Sequence, residues 1–411
     1  MNIGGVEKSL LSLLSAMPIN KYTVKVLLLE KKGAFLKHIP AWVEVEEVNW
    51  FEEIKPIIMQ PPQQTVADYW SGKKFFKIPT FVGKYYLSKK LNDRYIYYKE
   101  VFKSIPNNSN EYDVAIAYQG PTDVIDYYIA NKVIAKKKIA WIHFDVENHL
   151  INQKLYKKLH EKYNKVFVVS EEARQHLVNL IPNDKNKTEV LFNIISPDLV
   201  EKMSQEKVVD FDEKHNGINI VTVGRLSLEK GQDIAIKVLS KLKENGYNVN
   251  WYCIGDGKAR KEYENLITRY NLEDSFILLG AKENPYPYVK NADIYVQPSR
   301  HEGFCLTLAE AKCLCKPLIS TNFTGAKEQI KDGYNGLIVK KNIDELLGKI
   351  KFLIENPKKR ENLSSNLWKQ KVDTSSEVAK LLNYIDDERS HGYESEDKYN
   401  SSSVQSGTIH S

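Results

Sequence analysis

Twelve short β-rich runs, separated by stretches of helical period, constrain this chain more than any other feature. In the first half they fall at 23–29, 43–48, 112–118, 138–143, 165–170 and 189–193. In the second half they fall at 219–224, 248–254, 275–280, 293–298, 317–321 and 336–339. Such alternation is the signature of α/β units with parallel sheets. Runs such as Val24-Lys-Val-Leu-Leu-Leu29 and Val166-Phe-Val-Val169 are almost wholly apolar, as strands covered on both faces require. At 411 residues the chain is too long for one core, so the runs divide between two domains. The expected division is a first Rossmann-like domain over 1–197, a charged linker without period over 198–216, and a second such domain over 217–370. A helical pattern within 371–385 is expected to cross back to the first domain. The Ser- and charge-rich stretch 386–411 reads as a disordered tail.

Composition narrows the function classes. A net charge of +6 is mild for this length and gives no reason to expect a nucleic-acid partner. The four cysteines, Cys253, Cys305, Cys313 and Cys315, form no CxxC pair and have no histidines at zinc spacing. No apolar run approaches the ~20 residues that span a bilayer, and no secretory signal opens the sequence. The expected location is the cytoplasm or the inner face of a membrane.

Three segments carry chemistry. Gly224-Arg225-Leu-Ser-Leu-Glu-Lys230-Gly231 follows an apolar strand and precedes a helix, which puts Arg225 and Lys230 at a strand's carboxyl end. Ligands of open α/β sheets bind there, and a planar fork beside a point charge suits a diphosphate; two solvated loop cations would look the same. Neither GxGxxG nor GxxxxGK[ST] is present, so a dinucleotide enzyme or P-loop NTPase is not expected. In Gln297-Pro-Ser-Arg-His-Glu302-Gly303-Phe304-Cys305-Leu306-Thr-Leu-Ala-Glu310, a strand ends at Pro298 and a helix runs from Leu306. Its first amides form a positive helix end suited to an anion. Glu302 and Glu310 lie eight residues apart, on different parts of that helix turn, and read as acceptors for sugar hydroxyls rather than an acid/base dyad. Finally, Gly4-Gly5-Val-Glu7 reads as a glycine turn opening a helix over 8–17. In a Rossmann domain such a turn follows a buried strand, so the first strand of the first domain is expected to be missing.

In this order, Gly4-Gly5-Val-Glu7, Gly224-Arg225-(x4)-Lys230-Gly231, Gly255-Asp-Gly257 and Glu302-(x7)-Glu310 resemble the motifs of glycosyltransferase family 4 (group 1), retaining enzymes of the GT-B fold. The resemblance covers about residues 1–370. It implies that Arg225 and Lys230 neutralise the donor diphosphate without a metal. It implies that Glu302 with the amides of Gly303, Phe304, Cys305 and Leu306 holds the donor sugar and phosphate, and that Glu310 accepts from the ribose. Gly4 and Gly5 would approach the phosphates from the opposite domain. His143 matches the family's cleft histidine; without the family, a core histidine is the better reading. The resemblance further implies a nucleotide-diphosphate sugar as donor, UDP ahead of GDP, with no cofactor, and a polyprenyl-diphosphate-linked acceptor in surface polysaccharide assembly. A sugar-nucleotide epimerase, a non-catalytic partner of the same fold and a truncated inactive product are the alternatives.

One segment stands outside these motifs. Residues 73–103 hold nine Lys/Arg against two acids, with nine Phe/Tyr. That mixture suits an anionic membrane surface, and equally an ordinary amphipathic helical insertion.

Overall fold

The computed structural model describes residues 1, 4–144, 146, 151–208, 210–211, 215–323, 325–370 and 374–387. Among the described residues twelve strands form, one on each expected run, and every ladder between them is parallel. The first half holds β1 (Lys25–Leu28), β2 (Glu44–Glu47), β3 (Glu111–Gly120), β4 (Ile134–Ile142), β5 (Lys165–Val168) and β6 (Thr188–Val190). The second holds β7 (Ile218–Val223), β8 (Val249–Ile254), β9 (Phe276–Gly280), β10 (Ile294–Gln297), β11 (Leu318–Thr321) and β12 (Leu337–Val339).

The second half makes one six-stranded sheet in the order β12-β11-β10-β7-β8-β9. From β7 the order runs outward both ways, so the crevice between the ends of β7 and β10 is a topological switch point, where such sheets bind ligands. The Gln232–Glu244 helix shows why this half folds as it does. Ile234, Ala235, Val238, Leu239 and Leu242 recur at helical spacing and are buried against the sheet with Ile220, Trp251 and Ile294.

The first half differs from a continuous sheet. Its strands form a β1-β2 pair and a separate β3-β4-β5-β6 sheet, with no ladder between the two among the described residues. The glycine turn opens a helix at Gly5–Ala16, while residues 2 and 3 lie outside the described residues. Across the start of the stretch read as linker, Pro197–Met203 is helical, with Ser196 Oγ accepting from the Leu199 amide. Proline at the first helical position and serine before it are the start signals that a search for apolar period passes over. Between the two sheets lies an apolar cluster in which Trp141, Phe167 and Leu191 share a core with Tyr252, Tyr295 and Leu308.

The Ser375–Asp386 helix is fastened to the first half of the chain. Val378 and Leu381 are buried in the same cluster as Phe167 and Leu191. Glu377 accepts from the Phe192 amide (2.9 Å), and Lys380 donates to the Val190 carbonyl (2.9 Å). At the helix end, the buried Lys137 of β4 donates to the carbonyls of Tyr384 (3.0 Å), Ile385 (3.0 Å) and Asp387 (2.5 Å). A cation there satisfies the orphan carbonyls and the negative end of the helix together. The 388–411 stretch, expected as a disordered tail, lies outside the described residues.

Replacing Lys137 by Met removes three charge-assisted bonds and is expected to lower stability by about 2 kcal/mol. Hydrogen exchange checks the mechanism: amides of 375–386 lose protection while those of β7 and β8 keep theirs.

Candidate active site

The residues singled out in the sequence gather where β4, β7 and β10 end. Gly224 and Arg225 follow β7 directly, and the Lys230 side chain passes back over Gly224, whose added Cβ would lie 3.6 Å from Lys230 Cδ. Lys230 Nζ sits 2.6 Å from both carboxylate oxygens of Glu302. Ser299 Oγ donates to Glu302 Oε1 as well (2.8 Å), leaving that side chain only 8% exposed. Burial alone would lower the Lys230 pKa, but the Glu302 carboxylate outweighs it and the net shift is upward. The amine is therefore held charged. Arg225 is exposed and makes no ion pair among the described residues. The neighbouring Arg300 instead forks onto Asp233 (2.7 Å to each oxygen) and pins the Glu302 loop to the Gln232–Glu244 helix.

Two glycines let these loops meet. Gly231 has φ +73°, and a Cβ there would lie 2.1 Å from the Pro298 carbonyl oxygen. A Cβ on Gly303 would come within 2.8 Å of the His143 carbonyl oxygen, so the second domain's loop lies directly against the end of β4. Beyond Gly303, Cys305 takes the left-handed conformation (φ 64°) and the Leu306–Cys313 helix begins. The amides of Gly303, Phe304, Cys305 and Leu306 donate to no backbone carbonyl among the described residues. They are the unsatisfied donors of a helix start, ready for an anion. Burial pushes the Cys305 thiol up, so it is a neutral packing group and no nucleophile.

Glu310 is engaged elsewhere. It faces Lys8 of the Gly5–Ala16 helix (3.1 and 3.2 Å) and accepts from Tyr286 (2.8 Å), with side-chain exposures of 7% for Glu310 and 15% for Lys8. The Lys8 amine also lies over the Tyr286 ring, 4.7 Å from its centre. Near this pair, a Cβ on Gly5 would sit 3.4 Å from Leu306 Cδ1, so the glycine turn faces the start of the second domain's helix. At Gly4 the space is filled by the Glu7 side chain. Glu302 and Glu310 thus serve different neighbourhoods, one beside Lys230 and the other beside Lys8.

His143 closes the wall. The ring is buried against Trp141 (stacked, 5.6 Å) and Tyr118 (4.8 Å), and its Nδ1 lies 3.1 Å from Asn193 Oδ1. Since Ser9 Oγ also donates to that oxygen (2.9 Å), assigning the proton to Nδ1 satisfies the network and leaves Nε2 an acceptor. Nε2 has no hydrogen-bond partner among the described residues. Burial lowers the His143 pKa to about 4, against smaller raising contributions from Asn193 and the Tyr118 backbone. The imidazole is neutral near pH 7.

Sequence reading missed Lys8, Tyr286, Ser299, Ser9 and Asn193. Only Lys8 left a trace: a lysine in the first turn of a helix opposes the macrodipole and so calls for an anion nearby.

The arrangement is that of the GT-B fold, two Rossmann-like domains around a cleft. Residues 203–370, less than half of the chain, match the family described as glycosyl transferases group 1. Among solved structures, Anabaena HepE in complex with UDP and glucose is 19% identical, with TM-score 0.66 over 93% of this chain and 96% of that one. A glycosyltransferase from Rickettsia africae is 18% identical, with TM-score 0.60 over 93% and 94%. In sequence, the N-acetylgalactosamine-N,N'-diacetylbacillosaminyl-diphospho-undecaprenol 4-alpha-N-acetylgalactosaminyltransferase of Campylobacter jejuni is 29% identical over 215 residues, 52% of this chain and 57% of that protein. Two uncharacterized glycosyltransferases of Methanocaldococcus jannaschii are 28% and 29% identical over 42% and 54% of this chain. The matched stretches span 43% to 58% of the length of these curated relatives.

A neutral buried histidine has a signature in stability. Below about pH 6.5 the unfolded chain takes a proton that the folded site refuses until about pH 4, so stability is lost as pH falls through that window. Replacing His143 by Gln removes the contribution. The melting temperature of the variant is expected to fall less than the parent's between about pH 7 and pH 5, and equal falls would place a charged imidazole in the fold.

Proposed function

We propose that the protein is a retaining, metal-independent glycosyltransferase. It moves a sugar from a nucleotide-diphosphate sugar, UDP-linked ahead of GDP-linked, to a polyprenyl-diphosphate-linked glycan in surface polysaccharide assembly. The observation that carries this reading is the group of Arg225, Lys230 and the unbonded amides at 303–306 at one switch point. Breaking the bond between the anomeric carbon and the β-phosphate oxygen releases a diphosphate, and fixed positive groups stabilise that charge as it develops. Glu302 keeps Lys230 charged and in place, and the two carboxylate oxygens it turns to Lys230 are then shared with a sugar hydroxyl. Glu310, held by Lys8 and Tyr286, is the acceptor for the ribose. The neutral His143 offers Nε2 to a hydroxyl of the donor sugar.

In a retaining transfer through the front face, the acceptor oxygen bonds to the anomeric carbon on the side the diphosphate leaves, and its proton passes to the departing phosphate oxygen. No buried nucleophile is required, which agrees with the neutral thiol of Cys305. For the donor, support comes from the UDP and UDP-glucose complexes of Anabaena HepE. For the acceptor, it comes from the diphospho-undecaprenol substrate in the name of the Campylobacter relative and from the amylovoran biosynthesis glycosyltransferase of Erwinia amylovora, 26% identical over 50% of this chain.

Lys230→Ala and Arg225→Ala are each expected to lower turnover by roughly 10²–10³ while the protein stays folded, the usual loss of a preorganised charge donor. Release of UDP from UDP-sugars with lipid extract as acceptor measures it, and the anomeric configuration of the product tests retention. Near-normal turnover of folded Lys230→Ala would remove the diphosphate assignment. Isomerised sugar nucleotide without acceptor would favour an epimerase.

A further inference from the structure

The Lys- and aromatic-rich stretch of the first half divides in the structure into two kinds of residue. The Pro62–Ser71 helix turns back through Gly72, a left-handed Lys73 (φ 55°) and the single turn Phe75–Lys77 into the Ile78–Leu91 helix. Between the helices, aromatic side chains pack inward: Phe81 is buried against Tyr69 (5.7 Å), Tyr85 (6.3 Å) and Tyr97 (6.3 Å). At the turn and on the outer face they do not. Trp70 is 67% exposed, Phe76 75% and Tyr86 66%, and Trp70 meets Phe75 edge-on at 5.0 Å in the open. Half of the fourteen large apolar side chains exposed among the described residues fall between Met59 and Leu91, so the exposure is concentrated rather than scattered.

The stretch is basic as well. Lys73, Lys74, Lys84 and Lys90 are exposed, and none of them is in a salt bridge among the described residues. Elsewhere on this protein lysines pair readily, as at Lys25 with Glu44 and Glu46 or Lys37 with Glu283. An aromatic turn carrying two unpaired lysines, with two more along the helix that follows, has a specific complement. Aromatic rings settle at the level of lipid headgroups, and lysines beside them are drawn to an anionic leaflet. A water-soluble protein partner would need acidic groups around an aromatic socket and a well-shaped contact, which a projecting helical turn does not offer.

We propose that the turn at 70–77, with the outer face of the Ile78–Leu91 helix, docks the protein on an anionic lipid bilayer, Trp70, Phe75 and Phe76 entering the headgroup layer and the lysines lying on it. The inference stands on surface chemistry and is independent of the transfer reaction. Flotation with vesicles tests it: about one third phosphatidylglycerol against phosphatidylcholine alone, at low and high salt, with UDP-sugar hydrolysis measured in the same samples. The full chain is expected to float with the anionic vesicles only and to detach at high salt. The Phe75→Ser/Phe76→Ser double variant and the Lys73→Glu/Lys74→Glu double variant are each expected to bind about tenfold more weakly or worse, with hydrolysis of soluble donor unchanged. Equal flotation with neutral vesicles, binding unmoved by both variants, or self-association of the parent in solution that the variants abolish would overturn the proposal. Loss of hydrolysis with vesicle binding intact would count against the transfer reading alone.

Discussion

Lys230 and Glu302 are 72 residues apart in sequence and meet at 2.6 Å because the strands that carry their loops are neighbours in one sheet. That meeting sets much of the cleft. Gly231 must adopt a positive φ against the Pro298 carbonyl, Ser299 must turn its hydroxyl inward, and Arg300 must turn away to Asp233. A half-buried ion pair of this kind contributes little net stability, since removing both charges from water offsets most of their attraction. Its use is to hold a lysine charged and fixed against the downward pull of burial on its pKa. In the proposed transfer reaction, one pair serves both charge neutralisation and sugar contact.

Much of this was legible in the sequence. The twelve strands were, because parallel strands covered on both faces leave apolar runs that stand out from the helical stretches between them. The loops carrying Arg225, Lys230 and Glu302 were, because strand, glycine turn and helix follow one another locally. What stayed hidden depends on contacts between distant segments. The Lys8–Glu310 pair spans 302 residues, and nothing beside either residue names the other. Asn193 is only the last residue of an expected strand run until Ser9 and His143 converge on it. Lys137 falls one residue before the expected run at 138–143, yet it lies in the strand and is buried, because its partners are carbonyls 247 to 250 residues away. Composition likewise could not sort the aromatics of 73–103, since Phe81 packs between the helices while Phe76 stands on the turn that joins them.

The resulting cleft is asymmetric in character. The second domain supplies the charged wall through its own sheet and helix start. The first contributes a glycine turn, one lysine and a neutral histidine, each held by hydrogen bonds or by close approach to the other domain. Its sheet is also the less continuous of the two.

The Ser375–Asp386 helix bears on how this protein is made as well as on how it is held. Chains emerge from the ribosome amino end first, and domains generally fold as they appear. Here the second domain has all its strands by Val339, while the first still waits for a helix that ends at Asp386. At ordinary synthesis rates that interval is roughly two to nine seconds. Throughout it, the apolar face later covered by Val378 and Leu381 is open, and Lys137 lacks the carbonyls it will bind. The first domain to be translated is thus the last to be finished.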